Sequence, residues 1–157
     1  MLEPIIYTIE VPCDQEMAFN VFAKEMGDWW PLDKRCMSMK DGKSAKSLLI
    51  EAQSGGKITE ISEDGTEYLW GTIKSYLPFN LLSMDFHMGF PPEMASLVEV
   101  QFKVIKEDLT QVTLTQSNWE AFGDMAEMMR GGYGSSWGLI LEQAYKSACS
   151  RDSHEDS

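Results

Sequence analysis

A reaction needs a positioned acid, base, nucleophile or metal ion, and this chain of 157 residues offers few groups of that kind. Histidine occurs twice, as His87 and His154. In "LLSMDFHM", Leu82, Met84, Phe86 and Met88 alternate with Ser83, Asp85 and His87, so a period of two places His87 on the solvent side of a strand. His154 belongs to the polar tail "SRDSHEDS". Cys13, Cys36 and Cys149 are widely spaced and form neither a disulfide framework nor a CxxC pair. HExxH and GxSxG are absent. "GGYG" sits inside a helical pattern and lacks the strand-to-helix context of a phosphate loop. Glu60 and Glu120 read as solvent-facing. No catalytic residue, metal or cofactor is assigned.

Polar groups that could point inward are more informative. Val112 and Leu114 share a strand face with Gln116 and Asn118 if no bulge intervenes. Those amides could orient a ligand through one or two hydrogen bonds, or satisfy each other and nearby backbone. The eleven methionines suit irregular cores. Met125, Met128 and Met129 fall where they could line an adaptable pocket mouth. The five tryptophans, Trp29, Trp30, Trp70, Trp119 and Trp137, are more than a small domain packs centrally with ease.

These residues need elements to hold them. "PIIYTIEVP" alternates Ile5, Tyr7, Ile9 and Val11 and predicts a strand with one buried face. Asp14 predicts the N-cap of a helix carrying Met17, Ala18, Val21 and Phe22. Gly27 reads as its stop, and "DWWPLD" as an aromatic turn or short second helix. Residues 31–46 are polar and basic and read as a solvated loop. Six more extended runs follow, with Asp64-Gly65 as a hairpin turn. A long helix from about residue 124 to 148 closes the domain. Consecutive strands on short turns imply an antiparallel sheet, and its apolar face needs that helix as cover. The fold class is α+β, with six to seven strands in one domain over residues 1–150 and a fraying tail over 151–157.

The last helix carries a contradiction. Within "RGGYGSSWGLILEQAY" four of sixteen residues are glycine, each costing roughly 1 kcal/mol relative to alanine. At 100° per residue, Met129, Tyr133, Trp137, Ile140, Leu141, Ala144 and Ala148 form the stripe that must face the sheet. Gly132 and Ser136 flank Tyr133 and Trp137 and leave a notch, which could hold a ligand or another core side chain. Gly131, Gly134 and Gly138 lie on the opposite side, where another helix or subunit could approach, or water. A homodimer is one outcome of that face.

Charge narrows the partners. Twenty-five acidic against thirteen basic residues give a net charge of −12, which repels nucleic acid and anionic lipid surfaces. No apolar run spans a bilayer and no secretory signal opens the chain, so the expected compartment is the cytoplasm. Lys34, Arg35, Lys40, Lys43 and Lys46 crowd into one stretch that could meet an anionic partner.

The order of "WWP", "GGKITEISEDGTEYLWGTIKSYLPFNLL", "SNWEAFG" and "GGYGSSWGLILEQ" resembles the START-like (SRPBCC) superfamily, and within it the branch of the activator of Hsp90 ATPase. The resemblance runs from about Ile5 to Ala148. It implies a helix-grip fold, a curved antiparallel sheet around a long C-terminal helix with a cavity between them. Members bind lipids, sterols, polyketides and hormones, and a minority catalyse ring closure. The eponymous co-chaperone carries an additional N-terminal domain that this chain, opening on its first strand, does not display, so a chaperone partner is a secondary expectation. The leading expectation is a small hydrophobic or amphipathic ligand held by Phe22, Trp29, Trp30, Met84, Phe86, Phe102, Gln116, Asn118, Met125, Met129, Gly132, Tyr133, Ser136 and Trp137. A protein-interaction module and an enzyme acting on a cavity-bound substrate are the alternatives. Scattered cysteines in a reducing compartment stay free, so thiol titration in denaturant without reductant should find three per chain. A value of about one would reveal an intramolecular disulfide.

Overall fold

The computed structural model describes the backbone of residues 2–155 and the side chains of residues 2–150. The chain runs β1 (Ile5–Val11), α1 (Gln15–Ala23), α2 (Met26–Trp29), β2 (Ala45–Ile50), β3 (Lys57–Ser62), β4 (Glu67–Leu77), β5 (Leu81–Phe86), β6 (Ser96–Lys106) and β7 (Leu109–Ser117). Helix α3 (Ala126–Trp137) continues through a π-helical stretch (Gly138–Tyr145) into α4 (Lys146–Glu155). The strands form one antiparallel sheet in the order β1-β7-β6-β5-β4-β3-β2. This is the α+β helix-grip fold. Register shifts between β2 and β3, β3 and β4, β4 and β5, and β6 and β7 bend the sheet, since each extra residue adds local twist. Among the described residues no helix is long and apolar enough to cross a membrane.

One face of the sheet is apolar as the alternation requires. Ile9, Val112, Leu114, Val98, Val100, Phe102, Leu82, Met84 and Phe86 are all buried under the helices. Asp14 caps α1 by accepting from the Met17 N–H at 2.8 Å. Gly27 lies inside α2 and does not stop α1: a Cβ there would stand 2.2 Å from the Leu48 carbonyl oxygen. The glycine is needed for close approach of α2 to β2. Cys13 and Cys149 are buried, Cys36 is half-buried, and no disulfide joins any of the three.

The last helix buries Tyr133, Trp137, Ile140, Leu141 and Ala148 of the 100° stripe and departs from it after Leu141. Tyr133, Trp137, Leu141, Tyr145 and Cys149 are all buried, at a spacing of four, while Ala144 is only half-buried. The π-helical turns explain this. The Lys146 N–H reaches back five residues to the Leu141 carbonyl, and a wider turn keeps residues four apart in line. Tyr145 thereby enters the core and donates to the Ala18 carbonyl at 2.6 Å. The opposite face of the helix is used as well. A Cβ on Gly134 would sit 3.4 Å from Ile5 and one on Gly138 3.6 Å from the Tyr7 hydroxyl, so these glycines lie close against β1. The expected tail keeps helical backbone to Glu155, and residues 156 and 157 lie outside the described residues.

All five tryptophans are buried, although five are more than a small domain packs centrally with ease. Four of them place the indole N–H on an acceptor: Trp29 on Val21 O, Trp30 on Arg35 O, Trp70 on Glu60 and Trp137 on Gln116. A buried indole that keeps its hydrogen bond loses little on leaving water. That lets one small domain accommodate so many.

Two polar side chains expected in solvent are buried. Glu60 is 0% exposed on β3. Its oxygens accept from the Met37 N–H at 2.7 Å, the Ser38 N–H at 2.7 Å, the Ser38 hydroxyl and the Trp70 indole N–H at 2.9 Å. The basic segment is therefore a tethered strap, not a loosely solvated loop, and it includes a 3-10 turn at Ser38–Asp41. His87 is 2% exposed because the alternation of β5 ends at Phe86. The His87 and Met88 N–H groups both bond to the Trp70 carbonyl, and Met88 takes a left-handed φ of 42°. Glu120 is exposed, as read.

Replacing one Glu60 oxygen by an amide N–H sets donor against donor. Glu60→Gln should therefore lower unfolding stability by about 3 kcal/mol in a urea melt, against less than about 0.5 for Glu120→Gln. A loss below about 1 kcal/mol would remove Glu60 as the anchor of the strap. Burial lowers the pKa of His87 below its ordinary 6.5. The unfolded chain then takes up the proton first as pH falls, so stability present above pH 6.5 declines below it. The slope is at most about 1.4 kcal/mol per pH unit. It should be visible in melts between about pH 6.5 and 5 and flattened in His87→Gln.

Candidate functional site

Three hydrogen bonds in series fasten the helix to the sheet. The Trp137 indole donates to Gln116 Oε1 at 2.9 Å, the Gln116 amide donates to Ser96 Oγ at 2.9 Å, and the Ser96 hydroxyl donates to the Phe86 carbonyl at 2.9 Å. Gln116 is 0% exposed, and both ends of its amide are engaged by protein. It faces inward as the strand period requires, but its function is to orient Trp137. Asn118 lies beyond the end of β7 in a left-handed conformation (φ 67°), exposed, donating to the Ala95 carbonyl at 3.0 Å. The strand stops one residue too early for its alternation to reach Asn118.

Around Trp137 the aromatic rings gather at one end of the domain. Trp30 meets Trp70 edge-on at 4.9 Å and Trp137 at 6.2 Å, while Tyr133 stacks on Trp137 at 6.4 Å with an interplanar angle of 16°. Phe86 lies against Trp30, Trp70, Tyr133 and Trp137. These rings leave a recess of about 180 Å³ between α3, the strap and the loop after β5. Its buried members are Trp30, Phe86, Tyr133, Trp137 and Ile140; half-buried Arg35, Met37, Met88, Phe90, Met129 and Ser136 surround them; and Lys40, Met128 and Gly132 reach solvent. Gly132 leaves real space, because a Cβ built on it meets no heavy atom within 4 Å.

Of the residues expected to line a cavity, Trp30, Phe86, Met129, Gly132, Tyr133, Ser136 and Trp137 do come together here. Phe22, Trp29 and Phe102 do not. They fill the other end of the helix-sheet interface, with Phe22 5.3 Å and Trp29 5.2 Å from Tyr145 and Phe22 6.2 Å from Phe102. Tyr145 takes the volume assigned to a ligand there. Met84 is closed within the core at 1% exposure, and Met125 packs half-buried before α3 without reaching the recess.

The strap and the loop after β5 supply what sequence reasoning missed: Arg35, Met37, Lys40, Met88 and Phe90. Arg35 donates from Nε to Ser136 Oγ at 2.9 Å and from Nη1 to the Lys34 carbonyl at 3.0 Å, tying the strap to α3. The Lys40 ammonium stands 5.0 Å from the Phe90 ring centroid. The signal available in the sequence was the clustering of cations just after "WWP" in an otherwise acidic chain. Burial raises the phenol pKa of Tyr133 far above its ordinary value, so the wall of the recess carries a protonated hydroxyl at neutral pH. The arrangement is suited to burying an apolar body and meeting a polar group at its rim.

The fold recurs in known proteins. The chain is similar to anthrahydroquino-gamma-pyrone synthase Txn09, solved as a complex, at 27% identity over 85% of this chain and 88% of that one, with a TM-score of 0.60. It is similar in fold to the self-sacrificing resistance protein CalC of Micromonospora echinospora, at 22% identity, 95% coverage of both chains and a TM-score of 0.70. It is also similar in fold to the Hsp90 activator PFC0360w of Plasmodium falciparum, at 21% identity over 88% of this chain and 96% of that one, with a TM-score of 0.53. No curated protein matches the chain in sequence. The family model described as Activator of Hsp90 ATPase homolog 1-like protein matches residues 14–145, and the chain belongs to that family within the START-like superfamily.

Proposed function

We propose that this protein binds a small, largely apolar molecule in the recess between α3, the strap and the end of β5. The observation that carries the reading is Gly132. It sits in a helix where alanine would be more stable, yet an added Cβ would touch nothing. Glycine there relieves no crowding, so its effect is to keep the recess open. The aromatic and thioether lining supplies the apolar contact, and Trp137 is held in place by Gln116. The likeness to a synthase favours a second reading in which the bound molecule is also converted. The family description favours a third, a protein-interaction module, for which the recess would be irrelevant.

Gly132→Leu separates binding from packing. Leucine is favoured over glycine in a helix by about 0.8 kcal/mol, so the variant should melt at the same temperature or higher. Its side chain should occupy the recess. A neutral environment-sensitive dye such as Nile red should bind the wild type with blue-shifted emission and the variant weakly. Equal dye binding by both proteins, or a variant that melts several degrees lower, would defeat the binding reading.

A further inference from the structure

We propose that the molecule bound in this recess is an aromatic carboxylate of one or two rings, its ring against Trp30, Tyr133 and Trp137 and its carboxylate at Arg35 and Lys40. This inference rests on the binding reading above and names the class of ligand.

Size is the first constraint. An apolar cavity of about 150 Å³ accommodates benzene, so about 180 Å³ takes one ring fully or two rings with an edge toward solvent. The walls suit a flat body, because Tyr133 and Trp137 present a nearly parallel pair of rings and Trp30 stands edge-on to Trp137 at 86°.

Charge is the second. The guanidinium has five donors in a planar fork. Ser136 and Lys34 engage only two of them, one on Nε and one on Nη1. Arg35 makes no ion pair among the described residues, nor does Lys40. Nearby carboxylates are already committed. Asp41 accepts from the Tyr68 hydroxyl, Asp64 pairs with Lys43 at 2.7 Å, and Glu60 is consumed by the strap. Two cations without an acidic partner therefore stand beside an apolar recess in a chain of net charge −12. That net charge acts weakly at the recess, because exposed charges beyond about 8 Å are screened at physiological salt. The two cations at the rim act at contact distance and decide the local sign. A planar carboxylate matches the arginine fork better than a neutral amide does.

The test is isothermal titration calorimetry with 2-naphthoate and 2-naphthamide, which share the ring system and differ in charge. Naphthoate should bind at least about tenfold more tightly, the scale of a charge-assisted over a neutral hydrogen bond. Arg35→Gln and Lys40→Gln should each lower naphthoate affinity more than naphthamide affinity and so erode that preference, while Lys103→Gln, exposed on β6, should leave it intact. The Lys40 side chain lies against the Phe90 ring and donates no hydrogen bond to the fold, so its variant keeps the test valid if Arg35→Gln loosens the strap. Equal affinity for the two compounds would overturn the carboxylate assignment and leave binding standing. Absence of binding by both would overturn this inference together with the binding reading.

Discussion

A carboxylate taken out of water must find donors, and Glu60 finds four of them. Three come from Met37 and Ser38, in a segment that the sheet does not otherwise hold in its ladder. The fourth is the indole N–H of Trp70, which supports Trp30 and Phe86. One side chain thus fixes the strap and the aromatic floor relative to each other. With that bond set in place, Arg35 reaches Ser136 on α3 and Met37 faces the recess. Without it the segment would keep the Trp30–Arg35 and Arg35–Ser136 hydrogen bonds and the packing of Leu32, Cys36 and Met37, but lose its tie to β3.

The aromatic core divides the interior into two regions. At the end occupied by Tyr145, the rings of Phe19, Phe22 and Phe102 pack edge to face, Trp29 lies tilted against Tyr145, and the space is closed. Near Trp137 the rings are equally buried, but the helix beside them carries glycine and serine, and the space stays open. The difference lies in side-chain volume on consecutive turns of one helix. Buried polar atoms are then spent on orientation: Gln116 and Ser96 hold Trp137 and Phe86 while presenting no free group themselves.

The fold was legible because its signals are periodic. Strand alternation, the Asp14 cap, the Asp64-Gly65 turn and the apolar stripe of the last helix each depend on local sequence alone. The site was legible where it uses the same signals, at Tyr133, Gly132, Ser136 and Trp137 on one helix and Phe86 on one strand. Tyr145 was missed because a π-helical stretch changes the residue count per turn, and no local pattern announces it. Glu60 and His87 were misread because alternation gives the side of a sheet and not what covers it. The strap that buries Glu60 lies some twenty residues earlier in sequence. Arg35 and Lys40 looked like solvated charges for the same reason.

The glycines of α3 also set where the domain gives way. This helix buries only Tyr133 and Trp137 among its twelve residues, lacks a side-chain cap at its N-terminus, and bears three glycines within its span. Its Ser135 and Ser136 hydroxyls turn back onto the Gly132 carbonyl, which favours bending over a straight ladder. The strands opposite are tied on both edges, so fraying of α3 exposes far less apolar surface than opening the sheet. Amide protons of α3 should thus exchange with solvent ahead of those in β5, β6 and β7. Fraying of α3 would open one wall of the recess, so a molecule seated against Trp137 would also steady this helix.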